Sequence, residues 1–131
     1  MCIFVRKDLN VNKIDILQNC TEKDLETYAV ELETGASKLI VLSIYRAPTG
    51  DFSQFLKRLD DTLKYLYKPK TEFLICGDIN ADYLLESSRE KKKHLSSLLT
   101  TYNLSHTINF ATRIQKNQVQ PLIIYSWIIV D

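Results

Sequence analysis

The chain has 131 residues, one domain's worth and enough to bury most of its apolar surface. Hydrophobic residues at 45% and charged residues at 25% exclude a disordered chain. A net charge of +1 excludes binding driven by bulk charge, so a nucleic-acid partner would have to be met by a local patch.

Met1 to Val5 opens the chain as a β-rich patch. It is too short for a secretory leader, and its charge follows the patch instead of preceding it. Leu25 to Thr34 alternates, with Tyr28, Val30 and Leu32 on one face and charged residues mostly on the other, which predicts a half-exposed strand. Gly35 marks a turn, and Lys38 to Arg46 is a denser apolar run suited to a central strand covered on both sides. The two runs predict a hairpin.

Thr49 to Lys68 predicts a helix, because Phe52, Phe55, Leu56, Leu59, Leu63, Leu66 and Tyr67 recur at steps of three and four. Asp51 is placed to cap it, with Gln54 three residues on, and Pro69 stops it. A strand follows in "EFLICGD", Glu72 to Asp78, so strand, helix and strand imply a parallel crossover. A second helix is predicted over Ser87 to Asn103, with Leu95, Leu98, Leu99 and Tyr102 on one face. "LSHTINF" and "QPLIIYSWIIVD" read as closing strands. The class is mixed α/β, with hairpins joined to crossover units around a largely buried sheet.

The longest uncharged apolar run, Pro121 to Val130, is half of the roughly 20 residues that a membrane span needs. Cys2, Cys20 and Cys76 are odd in number and lack metal-type spacing, so they read as free thiols of a reducing compartment with no disulfide partner. The expectation is an intracellular protein of the cytoplasm or nucleus with no membrane partner.

Chemistry-bearing residues collect at predicted strand ends. Asp78 and Asn80 follow the apolar run "FLIC", at the carboxyl edge where open α/β sheets bind ligands. An Asp there can accept a proton from water, and an Asn can donate to a developing oxyanion. "GDINAD" is equally rich in turn-formers, and taken alone it favours the turn reading. "SIYRAPTG" shifts the balance, because two adjacent parallel strands would set Tyr45 near Asp78. Arg46 beside it offers forked donors that suit phosphate oxygens. "NFATRIQKN" supplies a third tip with Thr112 and Arg113. His94 follows Lys91, Lys92 and Lys93 on a solvent-facing helix, and His106 reads as a packing residue of a strand.

"MCIFVRKDL", "VLSIYRAPTGDFSQFLKRLDDTL", "FLICGDINADYL" and "NFATRI" occur in an order and spacing that resemble the endonuclease/exonuclease/phosphatase superfamily. The likeness is nearest to the apurinic-type endonuclease domains of non-LTR retrotransposons, which are reverse transcriptase-associated. The resemblance implies a four-layer α/β sandwich, here partial, with mixed sheets flanked by helices and one incomplete domain over residues 1–131. It implies a hydrolase that uses a divalent metal, usually magnesium, to nick DNA. Asp78 and Asn80 match the family's Gly-Asp-x-Asn, whose Asp orients or deprotonates water and whose Asn contacts phosphate. Tyr45 matches a donor to the scissile phosphate region. Thr112 and Arg113 match a Thr-Arg motif that contacts the DNA backbone, and Arg46, in a variable slot, is given phosphate steering.

The departures are as informative. The family's first-strand Asn and its metal-holding Glu precede the segment that "MCIFVRKDL" resembles, and Glu22, Glu26, Glu31 and Glu33 lie past that position. Aliphatics in "QVQPLIIYSWIIVD" stand where a late Asp belongs, Asp131 comes after the pattern, and the final Asp-His pair has no counterpart. Each loss removes factors on the order of 10² or more, not additively. The expectation is a retroelement-type endonuclease domain truncated at both ends and impaired in cleavage. The alternative is a non-catalytic module that binds phosphate or nucleic acid or serves an interaction, or a remnant without function. The run "PLIIYSWIIV" is β-prone and an aggregation hazard unless buried.

Overall fold

The computed structural model of the chain describes residues 2–35, 37–81, 88–105, 113–115, 118–120 and 127–128. Its main sheet has five strands: β1 (Val11–Ile14), β2 (Glu26–Thr34), β3 (Ser37–Tyr45), β4 (Thr71–Asp78) and β7 (Trp127–Ile128), adjacent in that order. A separate ribbon pairs β5 (Arg113–Gln115) with β6 (Gln118–Gln120). Among the described residues the regular structure also includes the helices α1 (Phe52–Leu66) and α2 (Arg89–Thr101) and a short 3₁₀ turn at Leu17–Asn19.

The predicted hairpin forms. β2 and β3 pair antiparallel from Glu26↔Tyr45 to Thr34↔Ser37, and Gly35 turns the chain at φ +75°, a conformation that costs glycine nothing. β3 then pairs parallel with β4 through the crossover helix α1, and β7 adds to β4 antiparallel. The sheet is mixed, as the patterning predicts.

Helix α1 begins where its sequence says it should. The Asp51 side chain accepts a hydrogen bond from the Gln54 N–H at 2.8 Å, which satisfies one donor that the first turn leaves open. The helix closes at Leu66, three residues before Pro69, with the Tyr67 N–H donating to the Leu63 carbonyl. Phe55, Leu59, Leu63 and Leu66 are buried against the sheet, and Phe52 and Leu56 pack half-buried beside them. Tyr67, placed on the same stripe by sequence, is instead exposed. Helix α2 buries Leu95 and Leu99, and its cap Tyr102.

Rows of the sheet show which face meets the helices. Ala29, Leu42 and Ile75 are register neighbours and fully buried, and the row beside them is Glu31, Ile40 and Phe73. The helix side of β2 therefore carries Thr27 and Ala29, and Tyr28, Val30 and Leu32 lie on the opposite face. The alternation read from the sequence holds, but β2 is covered on both sides at its middle, where Val30 is also buried.

Two expectations change. The β-rich opening gives no strand over residues 2–5, and Phe4 is 93% exposed. The edge position beside β2 is taken by Val11–Ile14 instead. In "LSHTINF", Leu104 and Ser105 are irregular and the rest lies outside the described residues. Of "QPLIIYSWIIVD", Gln120 ends β6 and Trp127–Ile128 forms β7, while the other residues lie outside those described.

The helices are tied at one point. The Tyr102 phenol donates to Asp60 Oδ1 at 2.5 Å, and Lys64 Nζ donates to Asp60 Oδ2 at 2.6 Å. Burial, then the hydrogen bond to Asp60, pushes the Tyr102 phenol above its ordinary value. A group whose pKa is raised by folding contributes stability that is whole below its unfolded pKa, about 10 for tyrosine, and is lost above it. Wild-type protein is expected to lose denaturant stability above pH about 10 faster than Tyr102→Phe, and Tyr102→Phe to be less stable by about 1 kcal/mol at pH 7. Parallel pH profiles for the two would contradict this tie.

Candidate functional site

Parallel pairing carries β3 and β4 to a common end. Tyr45 and Asp78 are register partners there, and Glu26 is the antiparallel partner of Tyr45 on the other side. Register neighbours in a sheet project to the same face. Glu26, Tyr45 and Asp78 therefore form one row, on the face turned away from α1 and α2. Sequence reading passed over Glu26, because only the pairing register brings it into line. Tyr45 and Asp78 are half-buried and Glu26 is exposed.

The ladder at this end depends on a missing side chain. Gly77 has φ +150°, and a Cβ there would lie 1.7 Å from the Ile44 carbonyl oxygen. The two main chains approach that closely just before Tyr45 and Asp78. Gly50, in the β3–α1 loop, is similarly constrained, since a Cβ would stand 2.1 Å from the Lys23 carbonyl oxygen.

Asp78 and Asn80 act as turn-formers as well as strand-end polar groups. Asp78 Oδ1 accepts from the Asn80 N–H at 2.8 Å, a side chain bonding its own backbone two residues on. Asn80 adopts φ +46°, the left-handed region that asparagine tolerates best after glycine. Its amide Nδ2 donates to the Arg46 carbonyl at 2.8 Å. The second carboxylate oxygen of Asp78, Oδ2, makes no hydrogen bond to a described residue, so among those residues one oxygen alone sets the turn.

Arg46, read from sequence as steering phosphate, is a buried residue. It is 4% exposed. Nη2 donates to the Gly50 carbonyl at 2.7 Å, and Nη1 to the carbonyls of Ile79 at 2.8 Å and Asn80 at 3.3 Å. Its Cζ lies 5.4 Å from the Phe52 ring centroid. The physical reason is strand alternation: with Tyr45 on the open face, residue 46 turns to the helix side.

Only part of the third predicted tip is described. Thr112 lies outside the described residues. Arg113 opens β5, which adjoins β6 and none of the other described elements. His94 is exposed on α2, as its surroundings predict, and His106 lies outside the described residues. The Lys91 ammonium sits 5.6 Å from the Phe52 ring centroid, the ring that Arg46 also approaches. Burial pushes the thiol of Cys76, two residues before Asp78, above its ordinary value, which disfavours the thiolate form. All three cysteines are free.

Among the described residues, no three His, Cys, Asp or Glu side chains gather to hold a metal ion. The Glu26–Tyr45–Asp78 row offers two carboxylates with a phenol between them. The residues described do not compose a protein-built magnesium cage. What the row can do on its own is orient a water through Asp78 and donate a hydrogen bond from Tyr45. No helix among the described residues is long and apolar enough to cross a membrane.

No protein-family model matches the chain, and no curated protein matches it. Solved structures do. The chain superposes on the endonuclease domain of TRAS1, a telomere-specific non-LTR retrotransposon, with a TM-score of 0.66 and 18% identity over 94% of this chain and 57% of that one. It superposes on an endonuclease/exonuclease/phosphatase family protein from Leptotrichia buccalis C-1013-b with a TM-score of 0.51 and 10% identity, over 78% of this chain and 41% of that one. Likeness at such identity is likeness of fold. The chain thus has a partial α/β fold of the endonuclease/exonuclease/phosphatase type, as its four motifs suggest, and it spans 57% of the retrotransposon domain's length.

Gly77→Ala would force β4 away from β3 at the end that carries the row. It is expected to cost about 3 kcal/mol or more in denaturant unfolding, the size reserved for backbone collisions and strain. Gly35→Ala, with open space around its Cβ, is expected to cost only about 1 kcal/mol from the positive φ. Equal losses for the two would overturn the close-approach argument.

Proposed function

We propose that the chain is an endonuclease-like domain of retroelement descent, by ancestry a magnesium-dependent phosphodiesterase that nicks DNA. Taken alone, its 131 residues hold a nucleic-acid phosphate but cleave it poorly or not at all. The observation that carries this reading is the meeting of Tyr45 and Asp78 as register partners at the carboxyl ends of two parallel strands. Further support comes from the fold shared with a retrotransposon endonuclease domain.

In this reading Asp78 orients the attacking water with its second oxygen and can accept its proton. Tyr45 donates to a phosphate oxygen from the adjacent strand. Asn80 shapes the loop that presents both, and has one amide hydrogen left to offer a phosphate. Thr112 and Arg113 contact the DNA backbone. Magnesium would supply charge stabilisation at a phosphoryl oxygen, worth several kcal/mol in the transition state, but Glu26 and Asp78 do not compose a site for it by themselves. The metal-holding Glu, the late Asp and the final Asp-His pair of the resembled family have no counterparts among these residues, so water placement alone accelerates cleavage little.

A second reading, a non-catalytic interaction module, is favoured by one observation: strand-end donors are spent inside the protein. Asn80 Nδ2 and both Nη atoms of Arg46 donate inward to main-chain carbonyls.

Supercoiled plasmid incubated with the purified chain and magnesium is expected to show no nicking above buffer. A short abasic duplex is expected to bind weakly, and with about one cationic phosphate contact, Arg113, to lose only roughly threefold to fourfold in affinity between about 50 and 200 mM salt. Nicking that vanishes in Asp78→Ala would mean that the chain is an active nuclease and that the impairment is wrong. Absence of both nicking and binding would remove the proposed function and leave a non-functional remnant.

A further inference from the structure

We infer that Arg46 is a positioning residue whose buried guanidinium fixes the loop presenting Asp78 and Asn80. Its importance for catalysis or phosphate binding rests on the function proposed above; its role in holding the loop does not.

Burying a charged side chain costs heavily unless hydrogen bonds replace its hydration. Here they come from two separate loops. Nη2 reaches the Gly50 carbonyl in the β3–α1 loop, and Nη1 reaches Ile79 and Asn80 after β4. Bonds from a charged donor are about twice as strong as neutral ones. The Phe52 ring face closes another side of the cation.

The main chain of Arg46 is part of the same knot. Its N–H donates to the Asp78 carbonyl at 2.9 Å, and its carbonyl accepts from Asn80 Nδ2 at 2.8 Å. Main chain and side chain of one residue thus grip residues 78, 79 and 80, more than thirty positions away in sequence. This grip adds to the turn hydrogen bond from Asp78 in holding Asn80 at φ +46°. It thereby sets the Asn80 N–H that orients Asp78.

A lysine could not substitute. Its ammonium is a single head on a flexible stem, whereas the planar guanidinium spreads donors over a rigid fork wide enough for both loops. Gly50 and Gly77 supply the close main-chain packing around this knot, each allowing a carbonyl where a Cβ would collide.

The test uses nitrogen-resolved NMR on the whole chain, without DNA. In wild-type protein the Arg46 Nη protons are expected to exchange on the order of tenfold or more slower than those of free arginine. In Arg46→Lys, exchange at Asn80 Nδ2 is expected to accelerate roughly tenfold, one lost hydrogen bond's worth, with its resonance shifted. The Val30 and Val41 amides of the β2–β3 hairpin should hold their wild-type rates. A merely structural arginine would move hairpin and loop together.

Unprotected Nη protons in wild type would overturn the inference, and that measurement decides even where Arg46→Lys fails to fold. So would an unchanged Asn80 signal in a folded Arg46→Lys. If the chain binds no duplex but Asn80 responds, the proposed function fails and the positioning role stands. If duplex binds and Asn80 is indifferent, the reverse holds.

Discussion

The parallel ladder between β3 and β4 is the constraint on which the rest depends. It runs from Lys38↔Thr71 to Tyr45↔Asp78 without interruption, and it brings the two strand-end motifs together. Evenly spaced parallel bonds need a long crossover, and α1 supplies it while covering one face with Phe55, Leu59, Leu63 and Leu66. Burial on the helix side fixes which residues project to the other side. The polar row is thus a by-product of core packing: once Ile44 and Ile75 face the helices, Tyr45 and Asp78 cannot.

Turn chemistry and site chemistry coincide at "GDIN" instead of competing. Asp78 sets the turn with one oxygen. Asn80 accepts a left-handed backbone, and its amide hydrogen bond to Arg46 ties the turn to the neighbouring strand end. A loop built from hydrogen bonds inside the protein presents its remaining polar atoms with little freedom left to lose on binding a phosphate.

Much of this was legible in the residues. The stripe, cap and proline of α1 specify its ends, and the alternation of Leu25 to Thr34 with Gly35 after it specifies the hairpin. Strand β1 was illegible because "VNKI" is an exposed edge strand whose pairing comes from β2, not from its own apolar pattern. Glu26 joined the row only through register, a relation between strands that no single stretch contains. The burial of Arg46 left a signal in the sequence: period two puts neighbours 45 and 46 on opposite faces, so Tyr45 on one side implies Arg46 on the helix side. The Tyr102–Asp60 tie joins residues 42 positions apart and leaves no local trace. The roles of Thr112 and Arg113 belong to the third motif, which the described elements do not bring to the row.

Strand length at β4 is itself a coded quantity. Because side chains alternate, deleting one residue between Phe73 and Cys76 while the core stays seated would turn the acid toward the helices and bring Ile79 beside the phenol. Two deletions would restore the acid's side but set it one rung short. The reading frame of the pleat, counted in single residues, therefore guards this edge as strictly as the identity of any amino acid on it.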